Sequence, residues 1–453
     1  MTVFDLIAEI EGDNEWHAWL KEVLDAKHEI VKFVTDRREG EKPGEFVRYL
    51  KGSFNLSLVV SFDDGGPAAV IRFPKPGHVS SSLREEKVKN EVQVLKYLAQ
   101  NTTVPVPRVT SWGLTQESPN QLGPFIIMEF TEGKSLASIL KKPTENDQQE
   151  VILNPEVADT TLEIVYEQLA GYLVQFLKLD FASIGAISET TDSNTWAVTE
   201  RPFTYNMNEL ATVVSGYPVD KFPTAPFTSA SEYFHHLADE HMLHFQTQRN
   251  IADDSDDAQR RFIARHRFKQ LIPQFCIEDN GPFKVFCDDM QPSNMLVNPE
   301  TLEITAILDF EFTNAMPAQF SYDPPSWLLL LGPDMWLERY GMERFLAAYE
   351  PKMELFLRVL ERIETKVAST EKDHGAIPLS SRMRDSWQTK RFWFDYGIRK
   401  SFDIDAVYWD ALDNGDDSLQ FLDKETQAQS ESVKQIKMEE LDAYLKDCAP
   451  LLA

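Results

Sequence analysis

Val285-Phe286-Cys287-Asp288-Asp289-Met290-Gln291-Pro292-Ser293-Asn294-Met295-Leu296-Val297, followed by Ile304-Thr305-Ala306-Ile307-Leu308-Asp309-Phe310-Glu311, organises the 453-residue chain. Met295 to Val297 and Ile304 to Leu308 are short apolar runs. Between them, Asn298-Pro299-Glu300-Thr301 is a turn cluster in which Pro299 fixes φ and Asn298 can bond its own backbone. The pattern predicts a β-hairpin, and a hairpin brings its open ends together. Asn294 stands just before the first strand and Asp309 just after the second, so the two should lie side by side, with Asp289 on the loop that feeds them. Two carboxylates and an amide oxygen then converge. Such hard oxygens suit Mg²⁺, which takes one or two carboxylates and completes its shell with phosphate oxygens and water. A further Asp close by can accept a proton from a hydroxyl. The plain alternative is a surface hairpin with acidic ends, because Asp and Asn favour turns in any case.

Upstream signals add to this. Leu56 to Phe62 and Ala68 to Phe73 flank Asp63-Asp64-Gly65-Gly66, a second predicted hairpin. Gly52 and Ser53 sit at the tip just ahead of it and can offer backbone and hydroxyl donors to phosphate, although a full G-x-G-x-x-G is absent. Ala69-Val70-Ile71-Arg72 has the layout of the kinase V-A-I-K strand, with Arg in the Lys position. Arg presents a planar fork that can clamp phosphate oxygens; otherwise Arg72 is an edge-strand residue facing solvent. Leu83 to Leu98 reads as a helix with Val88, Val92 and Leu95 on one stripe, and Glu91 falls inside that stripe. A carboxylate there is costly unless paired, and Arg72 is its natural partner, as in the kinase Lys–Glu pair. The hairpin likewise follows the kinase catalytic loop H-R-D-L-x-x-x-N, with Asp289 in the base position and Asn294 and Asp309 in the two metal positions.

These residues resemble the aminoglycoside phosphotransferase and choline-kinase group of small-molecule kinases, most closely its fungal branch. That group carries H-G-D-x-x-x-x-N, a hairpin, and I-D-W/F-E; this chain has Cys287-Asp288-Asp289, Asn294 and Leu308-Asp309-Phe310-Glu311, so Cys287 replaces a His. Gly52-Ser53-Phe54-Asn55 and Arg72 resemble fungal-branch features, as do Arg201-Pro202-Phe203-Thr204-Tyr205 and the segment from Tyr322 to Leu330. The resemblance implies an α+β, two-lobed protein-kinase-like fold with a small antiparallel-sheet lobe and a large, mainly helical one. It also implies ATP and Mg²⁺ as cofactors, and adenine bonded to the backbone near Glu129 to Thr131, where the strand Phe125 to Phe130 gives way to the large lobe. On this reading residues 1–45 form an N-terminal helical extension, 46–131 the phosphate-gripping N-lobe, and 132–453 the C-lobe.

Composition narrows the function classes. Lys plus Arg is 45 against 73 for Asp plus Glu, a net charge of -28, which disfavours nucleic acid and anionic membranes as partners. Cys276, Cys287 and Cys448 form no C-x-x-C pair, and a sparse odd count fits a reducing compartment. With no basic-then-apolar leader and early acids at Asp5, Glu9 and Glu11, the expected location is the cytoplasm. Trp16, Trp19, Leu20, Val23 and Leu24 predict an early helix, and Leu162, Val165, Leu169, Tyr172, Leu173 and Phe176 another. His235, His236, His241 and His244 are read as helical surface residues rather than a metal set. Asp323 is read as bracing the catalytic loop, or as a cap before a Pro-started helix. The last helix is expected to bury Val433, Ile436, Leu441, Tyr444, Leu445 and Cys448.

The chain therefore reads as an ATP-dependent phosphotransferase acting on a small-molecule hydroxyl. Asp289 would be the base, and Asn294 and Asp309 would hold Mg²⁺. Gly52, Ser53, Arg72, Glu91, Glu129 and Thr131 would line the nucleotide. A catalytically weak or inactive pseudokinase acting as a nucleotide-binding or regulatory module is the alternative, and a purely structural helical scaffold is a third. The acceptor and the oligomeric state are not legible.

Overall fold

Residues of β2 (Asn55–Phe62) and β3 (Ala69–Pro74) alternate between two apolar faces, and the sheet they build is covered on both. A computed structural model describes residues 4–38, 42–144, 150–190, 195–370, 377–415 and 418–451. Leu56, Leu58, Val60, Ile71 and Phe73 pack against Trp16, Trp19 and Val23 of α1 (Leu6–Asp25) and Ile30 and Val34 of α2 (Lys27–Arg37). Val59 and Val70 pack on the other side against Val88 and Val92 of α3 (Arg84–Asn101). The five-stranded antiparallel sheet runs β1-β2-β3-β5-β4, with β1 at Gly44–Lys51, β4 at Val109–Gly113 and β5 at Phe125–Glu129. Strand β5 is buried on both faces, as its unbroken apolar run suggests.

Strand β1 escaped the sequence reading. It is an edge strand, largely exposed, with a register shift between Phe46 and Arg48, so its side chains show no clean alternation. Its pairing with β2 turns Lys51 to Asn55 into a hairpin tip, closed by Gly52 N–H donating to Asn55 O at 2.9 Å. The early helical region is two helices that break at Ala26.

Beyond β5 the chain passes through β6 (Lys134–Ser135) and α4 (Leu136–Leu140) into α5 (Asp159–Leu177). After β7 (Asp180–Phe181), the hairpin β8 (Ala186–Glu189) and β9 (Trp196–Glu200), and α6 (Tyr205–Val213), it becomes mainly helical. Helices α7 (Ala230–Thr247) and α8 (Ser255–Phe275) lead to β10 (Phe283–Phe286), and the hairpin forms as β11 (Met295–Val297) and β12 (Ile304–Ile307). Strand β13 (Asn314–Met316) pairs back onto β10. Then come α9 (Pro333–Tyr340), α10 (Met342–Thr370), α11 (Leu379–Gln388), α12 (Arg391–Ile398), α13 (Ile404–Val407) and α14 (Lys424–Cys448). One continuous apolar core joins α5, α10 and α12 to β10 and the hairpin. Among the described residues no helix is long and apolar enough to cross a membrane.

Two expectations hold only in part. Helix α14 turns Thr426, Ser430, Lys437, Tyr444 and Cys448 inward, while Ile436 and Leu445 are 49% and 55% exposed. The inward positions are largely polar because Lys437 donates to the Gln246 and Gln248 carbonyls, and the Tyr444 hydroxyl accepts from Leu6 N–H at 2.7 Å. An apolar-stripe reading cannot see a face built on hydrogen bonds. On α7, His241 and His244 are buried rather than on the surface. His241 sits between Ser401 Oγ (2.8 Å) and Ile398 O (3.0 Å), and burial beside Arg265 holds it neutral, down to about 3.

The contrast between a covering Trp and an exposed apolar residue is testable in urea melts. Trp19 is buried and donates Nε1–H to Leu122 O at 2.6 Å, so Trp19→Ala should lower unfolding free energy by about 3–5 kcal/mol. Ile436→Ser should stay within about 0.5 kcal/mol of the parent.

Candidate active site

The hairpin does what its sequence requires. Met295 pairs with Ile307 and Leu296 with Ala306, and Leu308 N–H donates to Asn294 O at 2.7 Å, which places Asp309 beside Asn294. Asn294 donates Nδ2–H to Asp289 Oδ2 (2.7 Å) and to Asp289 O (3.0 Å), and Gln291 Nε2 donates to Asp289 Oδ1 at 2.5 Å. Both carboxylate oxygens are thus oriented by amides. Burial, reinforced by the nearby Asp309 charge, raises Asp289 to about 7 against these bonds. The Cys287 thiol lies 4.0 Å from Asp309 O, and burial pushes it well up, so it stays protonated.

Asp309 adopts φ 61°, a left-handed conformation uncommon for a residue with a side chain, at a cost of about 1–3 kcal/mol. Its carboxylate faces β3, where Arg72 Nη1 reaches Oδ1 at 2.5 Å. The other Arg72 nitrogen pairs with Glu91 on α3. Burial works against the guanidinium charge, but Glu91, Asp309 and Glu311 outweigh it and hold Arg72 protonated. The Arg72–Glu91 pair inferred from the sequence is present, and solvent-facing Arg72 is excluded.

A second buried cluster stands beside the first. Lys87 of α3 pairs with Glu311, and Asn55 of β2 donates to Glu311 Oε2 at 2.7 Å and accepts from Lys87 at 2.8 Å. Asn90 donates to the carbonyls of Glu311 (3.3 Å) and Thr313 (3.0 Å). Lys87, Asn90 and Glu91 thus form a polar stripe at helical spacing: Lys87 and Asn90 dock α3 onto the segment after the hairpin, and Glu91 docks it onto Arg72 of β3. The sequence reading took only Glu91 from it, although three polar residues at that spacing were a usable signal. It also missed Arg399, which pairs with Asp288 and stacks on Phe286. Asp323 bonds Ser386 rather than the catalytic loop, and Arg399 lies between it and Asp288. The capping alternative for Asp323 also fails, since turns, not a helix, follow Pro324-Pro325.

One cavity of about 820 Å³ brings the candidates together: Gly52, Ser53, Arg72, Glu91, Glu129, Thr131, Asp289, Asn294 and Asp309 all line it. Tyr205, Asp288 and Lys400 line it as well. Tyr205 comes from the Arg201–Tyr205 segment, whose Arg201 pairs with Glu86 of α3. The donor set suits a divalent cation with few protein ligands. Asn294 spends its NH₂ on Asp289 and keeps Oδ1, and Asp309 keeps Oδ2 beside Arg72. No group of three His, Cys, Asp or Glu among the described residues is arranged to hold a metal by itself, so an ion here would complete its shell from phosphate and water, the habit of Mg²⁺.

A five-stranded sheet covered by α1 and α2 on one face and by α3 on the other, joined to a helical body that carries an Asp-bearing loop and hairpin, is a kinase-like fold. The chain belongs to the phosphotransferase enzyme family, whose model matches residues 45–355. It is similar to altered inheritance of mitochondria protein 9, mitochondrial, of Clavispora lusitaniae, at 23% identity across 66% of this chain and 51% of that one. It is also similar to clavilactone A biosynthesis cluster protein Y of Ampulloclitocybe clavipes, at 24% identity across 62% of this chain and 63% of that one. The chain thus spans between half and two thirds of the length of these relatives. Among solved structures, the ethanolamine kinase of Plasmodium vivax superposes with a TM-score of 0.41 at 12% identity, covering 92% of this chain and 86% of that one.

The Arg72–Glu91 contact is open to a double-mutant cycle. Arg72→Ala, Glu91→Ala and the double variant, compared in urea melts, should give a coupling energy of about 0.5–3 kcal/mol. Strict additivity would mean that the two side chains do not interact.

Proposed function

We propose that this protein transfers the γ-phosphoryl group of ATP to a hydroxyl of a small molecule. The observation that carries the proposal is the convergence of Asp289, Asn294, Asp309 and Arg72 on one cavity with the Gly52–Ser53 tip. Phosphoryl transfer asks for positioning and charge neutralisation more than for covalent help. Asp289, oriented by Gln291 and Asn294 and raised to about 7, is suited to take the proton of the acceptor hydroxyl. The acceptor oxygen then bonds to the γ-phosphorus as the bridging P–O bond breaks and ADP leaves. Arg72, held by Glu91, would grip phosphate oxygens, Gly52 and Ser53 would cover them, and the backbone at Glu129 to Thr131 would receive the base. Asn294 and Asp309 would hold Mg²⁺, which supplies neutralisation of phosphate charge when bound. The acceptor would lie toward Tyr205, Asp288 and Lys400. The net charge of -28 supports a small-molecule partner over nucleic acid or an anionic membrane.

A catalytically weak nucleotide-binding module is the second reading. Two observations favour it: Arg72 already occupies Asp309 Oδ1, and Cys287 replaces the loop His of the family pattern. Turnover separates the two readings. Incubation with ATP, Mg²⁺ and a metabolite extract, read by mass shift, should reveal a phosphorylated product. Asp289→Asn should remove it while Mg·ATP still stabilises the variant thermally; transfer at a comparable rate would dismiss Asp289 as the base.

Cys287 gives an independent test. If it braces the loop by packing, Cys287→Ser should keep most activity and Cys287→His should be tolerated. A Cys287→Ser variant as inactive as Asp289→Asn would assign the thiol a chemical role. Turnover by Cys287→His alone would establish the weak-module reading.

A further inference from the structure

Helix α1 touches both halves of the molecule. At its start Asp5 caps the helix and accepts from Ser215 N–H at 3.1 Å, Leu6 N–H donates to the Tyr444 hydroxyl, and Asn250 donates to Phe4 O at 3.0 Å. These partners all belong to the helical body. About two turns on, Gly12 meets Gly77 backbone to backbone. Gly77 has φ 78°, and a Cβ there would drive into the Gly12 carbonyl. One turn further, Trp16 is buried against the end of β3.

Lys75 lies at that contact. It is 2% exposed, and its ammonium donates to Ser53 O (2.9 Å) and Gly52 O (3.3 Å) with the Trp16 ring centroid 4.6 Å away. Its backbone N–H donates to Phe54 O at 2.8 Å. Among the described residues it has no ion-pair partner, and burial together with nearby Lys51 pulls it down to about 8. A buried lysine that gives its donors to two loop carbonyls is costly unless those bonds matter to the loop. With their carbonyls turned toward Lys75, the 52–55 tip is held in one conformation.

We propose that Lys75, seated by Trp16 of α1, is a positioning residue for the Gly52–Ser53 turn, and that α1 is a strap tying this turn to the helical body. The proposal rests on reading the cavity as a nucleotide site, but its first test does not. Hydrogen exchange on the nucleotide-free full chain should show the Gly52 amide, which closes the tip on Asn55 O, exchanging about tenfold faster in Lys75→Met, roughly the effect of one charge-assisted hydrogen bond. Amides of β5 and α3 should keep parental rates, Lys75→Arg should restore slow exchange, and Trp16→Ala should loosen the same Gly52 amide. In turnover assays the loss should fall on KM for ATP and spare KM for the acceptor. Parental exchange of the Gly52 amide in folded Lys75→Met overturns the proposal. If Lys75→Met does not fold, Lys75→Gln is judged by the same criterion. A parent chain that binds no Mg·ATP would overturn the nucleotide reading, while the exchange result would still decide the role of Lys75.

Discussion

A single buried guanidinium holds the site together. Arg72 on β3 is nearly out of water, and its charge is tolerable only because Glu91 on α3 and Asp309 after the hairpin both contact it. Removing one member of such a group leaves an uncompensated buried charge, which costs about 3–5 kcal/mol. The sheet, the helix and the catalytic segment are therefore kept in one mutual arrangement. Asp309 meets that guanidinium through Oδ1 from a left-handed backbone conformation.

Around that charge the structure repeats one solution. Helix α3 places Val88 and Val92 against the sheet, turns Lys87 and Asn90 toward the segment after the hairpin, and turns Glu91 toward Arg72 of β3. Apolar burial supplies the non-directional part of the docking, and the polar stripe supplies its register, since Asn90 reaches two specific carbonyls and Lys87 a specific carboxylate. On the outer face, α1 and α2 cover the sheet with Trp16, Trp19, Ile30 and Val34. Without them that apolar face would be open to solvent, so the N-terminal segment completes the sheet's core as well as reaching the helical body.

The hairpin was legible because strand period and turn chemistry are local properties. Asn294, Asp309 and Asp289 follow from it, since an antiparallel pair joins residues distant in sequence without help from the rest of the fold. Glu91 was legible for a related reason: a carboxylate inside an apolar stripe demands a partner. Strand β1 was not, because an exposed, bulged edge strand carries little apolar pattern. The inward face of α14 was not either, because it is held by Lys437 and Tyr444 through hydrogen bonds to partners nearly 200 and more than 400 positions away.

By itself, then, the sequence determined the hairpin and the identity of the residues that meet at its mouth. These depend on period, turn residues and the intolerance of apolar surroundings for lone charge. Only the tertiary structure decided that Arg72 bridges Glu91 and Asp309 at once, that Asp309 sits in a left-handed conformation, and that Lys75 reaches under the Gly52–Ser53 turn. Each of these is a choice among several available partners. Burial makes that choice by removing water as a competitor, and burial is a property of the assembled fold.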